Sequence, residues 1–287
     1  MSDVLNELRE LLELEPLEKN LFRGRSQDLG FGNLFGGQVL GQALSAAYRT
    51  VVEQRRAHSL HAYFLRPGDP TRPIIYQVGR VRDGRSFSTR TISAIQHGRP
   101  ICSLACSFQA PEPGFEHQAT APEGVPPPDE LDSEVEQAQR VADRIPEPLR
   151  TKLICDKPIE IRSVDPVNPF HPDVREPRRY AWLRAAGELP DDPALHQYLL
   201  AYASDFYLVG TSLYPHAVTF WDPRMQVASL DHVLWIHREL RMDRWLLHAM
   251  ESPSASGSRG LNRGLFFQDG VLVASVAQEG LIRRLGE

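Results

Sequence analysis

Three polar side chains stand in runs where apolar ones would be expected. Asp205 lies in Tyr202-Ala203-Ser204-Asp205-Phe206, at the edge of an amphipathic helical stripe. Ser229 lies in Val227-Ala228-Ser229-Leu230-Asp231-His232, and Gln278 closes the run Val273-Ala274-Ser275-Val276-Ala277-Gln278. A carboxylate can exchange a proton, and a hydroxyl or an amide can hold a small molecule by hydrogen bonds. Spacing alone does not bring the three together, and three separately satisfied polar residues is the competing reading.

Other chemistries lack their signatures. Gly84-Arg85-Ser86-Phe87-Ser88 approaches a Gly-x-Ser-x-Gly elbow but lacks the last glycine. Gly30-Phe31-Gly32-Asn33-Leu34-Phe35 approaches a dinucleotide fingerprint, with Phe35 where glycine is required and no strand before it. Cys102 and Cys106 share a strand face and read as small buried side chains, while Cys155 stands alone. His58 and His61, like His232 and His237, are odd numbers of residues apart on strands, so each pair splits between faces. No metal is expected.

The elements that must position these residues form two similar sets. A short apolar-faced helix is predicted over residues 3–14, and a second over about 38–52. The second is rich in small residues, among them Gly41, Ala43, Ser45, Ala46 and Ala47, which implies a close backbone approach, for instance by a sheet wrapped around it. Strands are predicted over 58–66, 74–82, 86–96 and 101–109, an antiparallel α+β pattern. Residues 116–149 read as a linker with Pro126-Pro127-Pro128 near its start and a polar helix over 133–142. Beyond it lie strands over 159–164 and 179–186, a helix from Pro193 to about Val209, and strands over 226–236, 263–267 and 271–278. Helix and strands thus recur in order, and Gln96-His97-Gly98 falls on Gln268-Asp269-Gly270. Two fused units, residues 1–115 and 150–287, are expected to lay their sheets side by side.

Composition sets the outer bounds. The 287 residues are 41% apolar and 24% charged, ordinary globular values. Lys and Arg number 32 against 37 Asp and Glu, a net charge of −5, so there is no basic excess for nucleic acid or anionic membrane. No apolar run approaches a membrane span. Three cysteines and an acidic N-terminal stretch fit a cytoplasmic protein better than a secreted, disulfide-built one.

Several strings, in order along nearly the whole chain, carry a family resemblance. They include Phe35-Gly36-Gly37-Gln38-Val39, the run from His58 to Gly68, His196-Gln197-Tyr198-Leu199-Leu200, Tyr202-Ala203-Ser204-Asp205, Leu230-Asp231-His232 and Gln278-Glu279-Gly280. On these the chain resembles the acyl-CoA thioesterase II family. The resemblance implies a double hot-dog fold, an α+β architecture of two fused helix-wrapped antiparallel sheets. It implies hydrolysis of fatty acyl-CoA to fatty acid and coenzyme A, with no cofactor and a homodimeric or homotetrameric assembly.

In that family an Asp, a Thr or Ser, and a Gln position the hydrolytic water, roles that fall here on Asp205, Ser229 and Gln278. The first half lacks the acid and the amide, since Cys106 falls opposite Gln278 and Ala46 or a neighbour opposite Asp205. One active site per chain is therefore expected. An apolar tunnel is expected for the acyl chain, with Arg259 and Arg263, on a loop over 252–263, at its mouth, and a flexible solvated loop is the competing reading of that segment. Two other classes stay open: a hot-dog enoyl-CoA hydratase, which would pair an Asp with a His, and a non-catalytic acyl-CoA-binding protein.

Overall fold

A computed structural model describes residues 3–30, 32–147 and 149–286. Phe31, in the glycine-rich string, and Met1, Ser2, Pro148 and Glu287 lie outside the described residues.

The first half runs α1 (Asp3–Leu12), β1 (Glu15–Glu18), β2 (Leu21–Gly24), α2 (Gly36–Tyr48), β3 (Arg56–Phe64), β4 (Ile74–Asp83), β5 (Phe87–Gln96) and β6 (Arg99–Gln109). Two short helices follow, α3 (Glu134–Arg140) and α4 (Leu149–Ile154). The second half runs β7 (Ile159–Ser163), β8 (Arg178–Ala185), α5 (Pro193–Ala203), α6 (Leu208–Thr211), β9 (Met225–Ser229), β10 (Asp231–Ile236), β11 (Leu246–Ser256), β12 (Arg259–Gln268) and β13 (Val271–Arg284).

Among the described residues, thirteen strands join one antiparallel sheet in the order β1-β2-β4-β5-β6-β3-β10-β13-β12-β11-β8-β7, with β9 paired to β13. The halves meet where β3 pairs β10, with His61 opposite Val233 and Ala62 opposite His232. Alternation along the central strands buries one face, and the two central helices pack on it. Leu40, Ala43, Leu44 and Ala47 of α2, and Leu199, Leu200 and Ala203 of α5, are buried there. Gln38 and Gln42 are buried too, but paired: Gln42 Nε2 donates to the Leu11 and Arg25 carbonyls at 2.6 and 2.8 Å.

The sheet wraps α2 as expected, through β3, β4, β5 and β6, but the closest backbone approach at its glycines comes from α5, packed antiparallel against it. A side chain at Gly37 would collide with the Tyr202 carbonyl, and one at Gly41 would lie 3.0 Å from the Tyr198 carbonyl. Gly37 and Gly41 are four apart, so both stand on the helix face that meets the partner.

The second helix is shorter than its apolar period suggests. Asp192 caps its start, its carboxylate accepting from Ala194 N at 3.0 Å, with Pro193 in the first turn. It ends at Ala203, and Tyr207, at φ 68°, turns the chain before α6 begins.

Residues 252–263 are not a loop but the tip of the β11–β12 hairpin. Gly257 and Ser258, both at positive φ, make its two-residue turn. Pro253 and the small polar residues around it disguise the strand, and the register shifts between Glu251 and Ser254. The Pro-rich segment lies along the second half: Pro126 O accepts from Trp182 Nε1 at 2.8 Å, and Gln118 bonds Gly270 and Leu272.

Candidate active site

The site forms where the end of α5 meets the start of α2. Phe35, the residue before α2, offers no side-chain cap. Asp205, just beyond α5, supplies one from across the molecule: its Oδ2 accepts from Gly37 N at 2.9 Å. A carboxylate is favoured there by the unpaired N–H groups and the dipole of the helix. The fit is close, for a side chain at Gly36 would stand 2.7 Å from the same oxygen.

The other carboxylate oxygen meets the sheet. Gln278 Nε2 donates to Asp205 Oδ1 at 2.6 Å and to His232 Nδ1 at 3.1 Å. On its far side His232 Nε2 lies 2.9 Å from Ser204 Oγ, which in turn donates to Ala201 O at 3.0 Å. His232 Nδ1 is 3.7 Å from Asp205 Oδ1. Gln278 and Ser204 are buried, and His232 is fully so. Burial drives the His232 imidazole down to about 4, against an opposing pull from Asp205, so it is neutral at physiological pH. The Gln278 Oε1 atom is buried with no hydrogen-bond partner among the described residues.

Ser229 joins this face through strand register. It stands opposite Gly280, and Gly280 and Gln278 are two apart on β13, so all three share the inward face. Ser229 forms no hydrogen bond to Asp205 or Gln278. Asp205 and Gln278 are thus brought into direct contact, with Ser229 beside them on the same face.

Arg259 and Arg263 lie on β12, apart from the Asp205–Gln278 contact. They alternate with the buried Gly260, Asn262 and Gly264, so they occupy the outward face of β12. Arg259 Nε donates to Glu279 at 2.9 Å, and Arg263 pairs with Glu251 at 2.6 Å. Gly37, His232 and Ser204 were not singled out as site residues from sequence. The signal that could have found them is their place in the strings Phe35-Gly36-Gly37-Gln38-Val39, Tyr202-Ala203-Ser204-Asp205 and Leu230-Asp231-His232, which carry the resemblance. Among the described residues no group of His, Cys, Asp and Glu could hold a metal. No described helix is long and apolar enough to cross a membrane.

Comparison with known proteins gives the family. Residues 148–281 match the acyl-CoA thioesterase family, and residues 25–109 match the acyl-CoA thioesterase N-terminal domain. The chain is 49% identical over 284 residues to acyl-CoA thioesterase 2 of Haemophilus influenzae, covering 99% of both chains. It is 44% identical to human acyl-coenzyme A thioesterase 8, over 95% of this chain and 88% of that one. The crystal structure of an acyl-CoA thioesterase II from Mycobacterium marinum superposes with a TM-score of 0.78 at 40% identity, over 96% of this chain and 98% of that one. A hot-dog protein from Alicyclobacillus acidocaldarius, 18% identical, shares the fold with a TM-score of 0.78 over 98% of this chain and 99% of that one. The chain is therefore a thioester hydrolase with a double hot-dog fold, and it belongs to the acyl-CoA thioesterase II family.

Proposed function

We propose that the chain hydrolyses fatty acyl-CoA to fatty acid and coenzyme A by direct attack of a water held by Asp205, Ser229 and Gln278. One observation carries this reading. Beside the Asp205 carboxylate lies a buried amide oxygen, Gln278 Oε1, with no partner among the described residues. An unpaired buried acceptor costs free energy unless something donates to it, and a water shared with Asp205 would do so.

The geometry supports a division of labour. Gln278 Nε2 and Gly37 N each engage one carboxylate oxygen and leave lone pairs free on both. Asp205 takes the water's proton as the oxygen attacks the thioester carbonyl, a general-base contribution of about 10²- to 10⁴-fold. Gln278 Oε1 and the Ser229 hydroxyl orient the water, removing entropy from the attack. The Gly37 N–H is held by Asp205, so the donor for the developing oxyanion is a different backbone N–H near the start of α2. A thioester carbonyl is poorly stabilised by resonance, so no covalent enzyme intermediate is required.

A hydratase-like reaction would need a histidine that can reach the substrate. His232 is the histidine next to Asp205, but it lies wholly buried behind Gln278, with its ring nitrogens facing Ser204 and Gln278. That favours hydrolysis. We further propose a cytoplasmic homodimer or homotetramer, joined through the outward sheet face where Tyr63 and Trp235 are exposed. Light scattering that returns a monomer mass at micromolar concentration would refute the assembly.

The decisive test is thiol release from saturated fatty acyl-CoA by wild type and Asp205→Asn. The variant keeps the shape and loses the base, so kcat should fall by roughly 10²-fold or more with binding largely retained. A fully active Asp205→Asn enzyme would overturn the mechanism. Activity confined to short acyl groups would overturn the fatty-acyl assignment.

A further inference from the structure

The amide of Gln278 has two possible orientations, and the side chains behind it select one. We infer that His232 is a positioning residue for hydrolysis: by accepting one amide proton of Gln278, it turns Nε2 toward Asp205 and leaves Oε1 for the attacking water. The inference rests on the water-based mechanism proposed above.

The directions of the hydrogen bonds can be followed atom by atom. Gln278 Nε2 faces His232 Nδ1, which calls for a bare Nδ1, and Ser204 Oγ, with its proton on the Ala201 carbonyl at 3.0 Å, then accepts from His232 Nε2. His232 therefore carries its proton on Nε2, 2.9 Å from Ser204 Oγ, and presents a bare Nδ1 to Gln278 at 3.1 Å. The two amide protons of Gln278 then have two acceptors, His232 Nδ1 and Asp205 Oδ1. The reversed amide would set its oxygen against a carboxylate oxygen at 2.6 Å and against the imidazole lone pair. Both contacts are repulsive, so the Oε1 that lacks a partner is held away from Asp205 and His232.

Burial keeps the ring in the state this requires. His232 is fully buried and titrates near 4, so it remains an acceptor at neutral pH. The chain of bonds starts and ends on one element: Ala201 lies on α5, with Ser204 and Asp205 just past its end. One helix end thus delivers the base and, through Ser204 and His232, the orientation of the amide that meets it.

The first half shows what the position holds without this task. Gln96 and Gln268 are 172 residues apart and occupy equivalent places, and the same interval sets Leu60 on His232 and Cys106 on Gln278. Leu60 and Cys106 are buried and apolar. The architecture therefore accepts a leucine at this point, and His232→Leu is the natural probe.

The experiment measures thiol release and thermal melting for wild type, His232→Leu, His232→Asn, Ser204→Ala, Gln278→Ala and the His232→Leu/Gln278→Ala double variant. His232→Leu should lower kcat about tenfold with KM within about twofold, since substrate does not touch the ring. The Asn oxygen at 232 can replace Nδ1 as acceptor, so His232→Asn should recover most of the loss. In the Gln278→Ala background the leucine should cost nothing further, because the residue it acts through is gone. A merely structural role would instead add its cost in both backgrounds.

Wild-type kcat in His232→Leu, or an equal loss on top of Gln278→Ala, overturns the inference. Should His232→Leu fail to fold, Ser204→Ala decides. It removes one oxygen and frees the imidazole tautomer, so kcat should fall severalfold, and an unchanged kcat would overturn the inference. An unimpaired Gln278→Ala or Asp205→Asn enzyme would instead sink the water mechanism beneath it, so the two failures are distinguishable.

Discussion

Gln96 and Gln268 do the same work in the two halves. Gln96 accepts from Asp69 N at 2.7 Å and donates to Asp69 O at 2.9 Å. Gln268 accepts from Arg241 N and donates to Arg241 O, both at 2.8 Å. Each is followed by a turn with two positive φ values, at His97-Gly98 and at Asp269-Gly270. On the concave face, however, equivalent positions diverge. Leu60 stands for His232, Cys106 for Gln278, and Tyr76, whose hydroxyl donates to Gln42 at 2.7 Å, stands for His248. The helix crossing diverges too. At one end Asp205 bonds the start of α2, and at the other the Tyr48 hydroxyl bonds Gln197 and accepts from Ala57 N at 2.8 Å. Positions that brace the backbone match, and positions that face the site do not. Burial holds the Tyr48 hydroxyl and the Cys106 thiol far up in their protonated forms, so neither of these two can act as a base or a nucleophile.

The largest effect should separate the two ends of that crossing. Asp205→Asn removes the base and is expected to lower kcat by roughly 10²-fold or more, whereas Tyr48→Phe should leave kcat within about threefold. A large kcat loss in Tyr48→Phe, with KM and melting temperature unchanged, would show that the first half is not a passive scaffold. The next effect comes from copying one half into the other. Gln278→Cys installs the first-half residue and should lower kcat about tenfold or more, and Ser229→Ala should cost less, since Asp205 can still activate a badly held water. Neither loss should add fully to that of Asp205→Asn, because the three residues act on one water.

How much of this was legible in advance differs by residue. The matching glutamine turns were visible as strings, because a turn needs particular residues at adjacent positions. Asp205 and Gln278 were visible as polar interruptions of apolar runs, but their 2.6 Å contact spans 73 residues, which no local pattern encodes. The Gly37 bond spans 168 residues and comes from a backbone N–H, which leaves no mark on side-chain type. The helix was expected to run on to Val209 because Phe206 and Val209 continue its period. The left-handed turn at Tyr207, a residue type that seldom takes it, breaks that run and follows directly on the segment carrying Asp205.

The halves should also respond differently to acid. His232 is held to about 4 and His248 to about 3, both chiefly by burial. The unfolded chain binds protons at these sites below an ordinary histidine value of about 6.5, and the folded chain does not. The stabilisation is therefore complete above that value and declines as pH falls through 6 and 5 toward 4, by a few kcal/mol from His232. Leu60 and Tyr76, at the matching places, do not titrate in this window. Melting temperature followed from pH 7 to pH 4 should fall less steeply in His232→Leu than in wild type. Parallel curves would show that the acid response arises elsewhere.

The smallest effect concerns the two faces of the second-half sheet. The sequence alone suggests Arg259 and Arg263 for the substrate mouth, where reversing both charges would raise KM more than it lowers kcat. The structure sets them on the outward face, with Asp205, Gln278 and Ser229 on the inward one. Their partners Glu279 and Glu251 share that outward face, and all four side chains are between 39% and 61% exposed. Ion pairs so exposed contribute about 0–1 kcal/mol. The double reversal Arg259→Glu/Arg263→Glu should therefore leave kcat and KM within about twofold and lower the melting temperature by only a few degrees. A tenfold rise in KM at unchanged kcat would mean that the nucleotide end of the substrate rounds the tip of the β11–β12 hairpin. The outward face would then belong to the site, and the contrast between the halves would extend through both sides of the sheet.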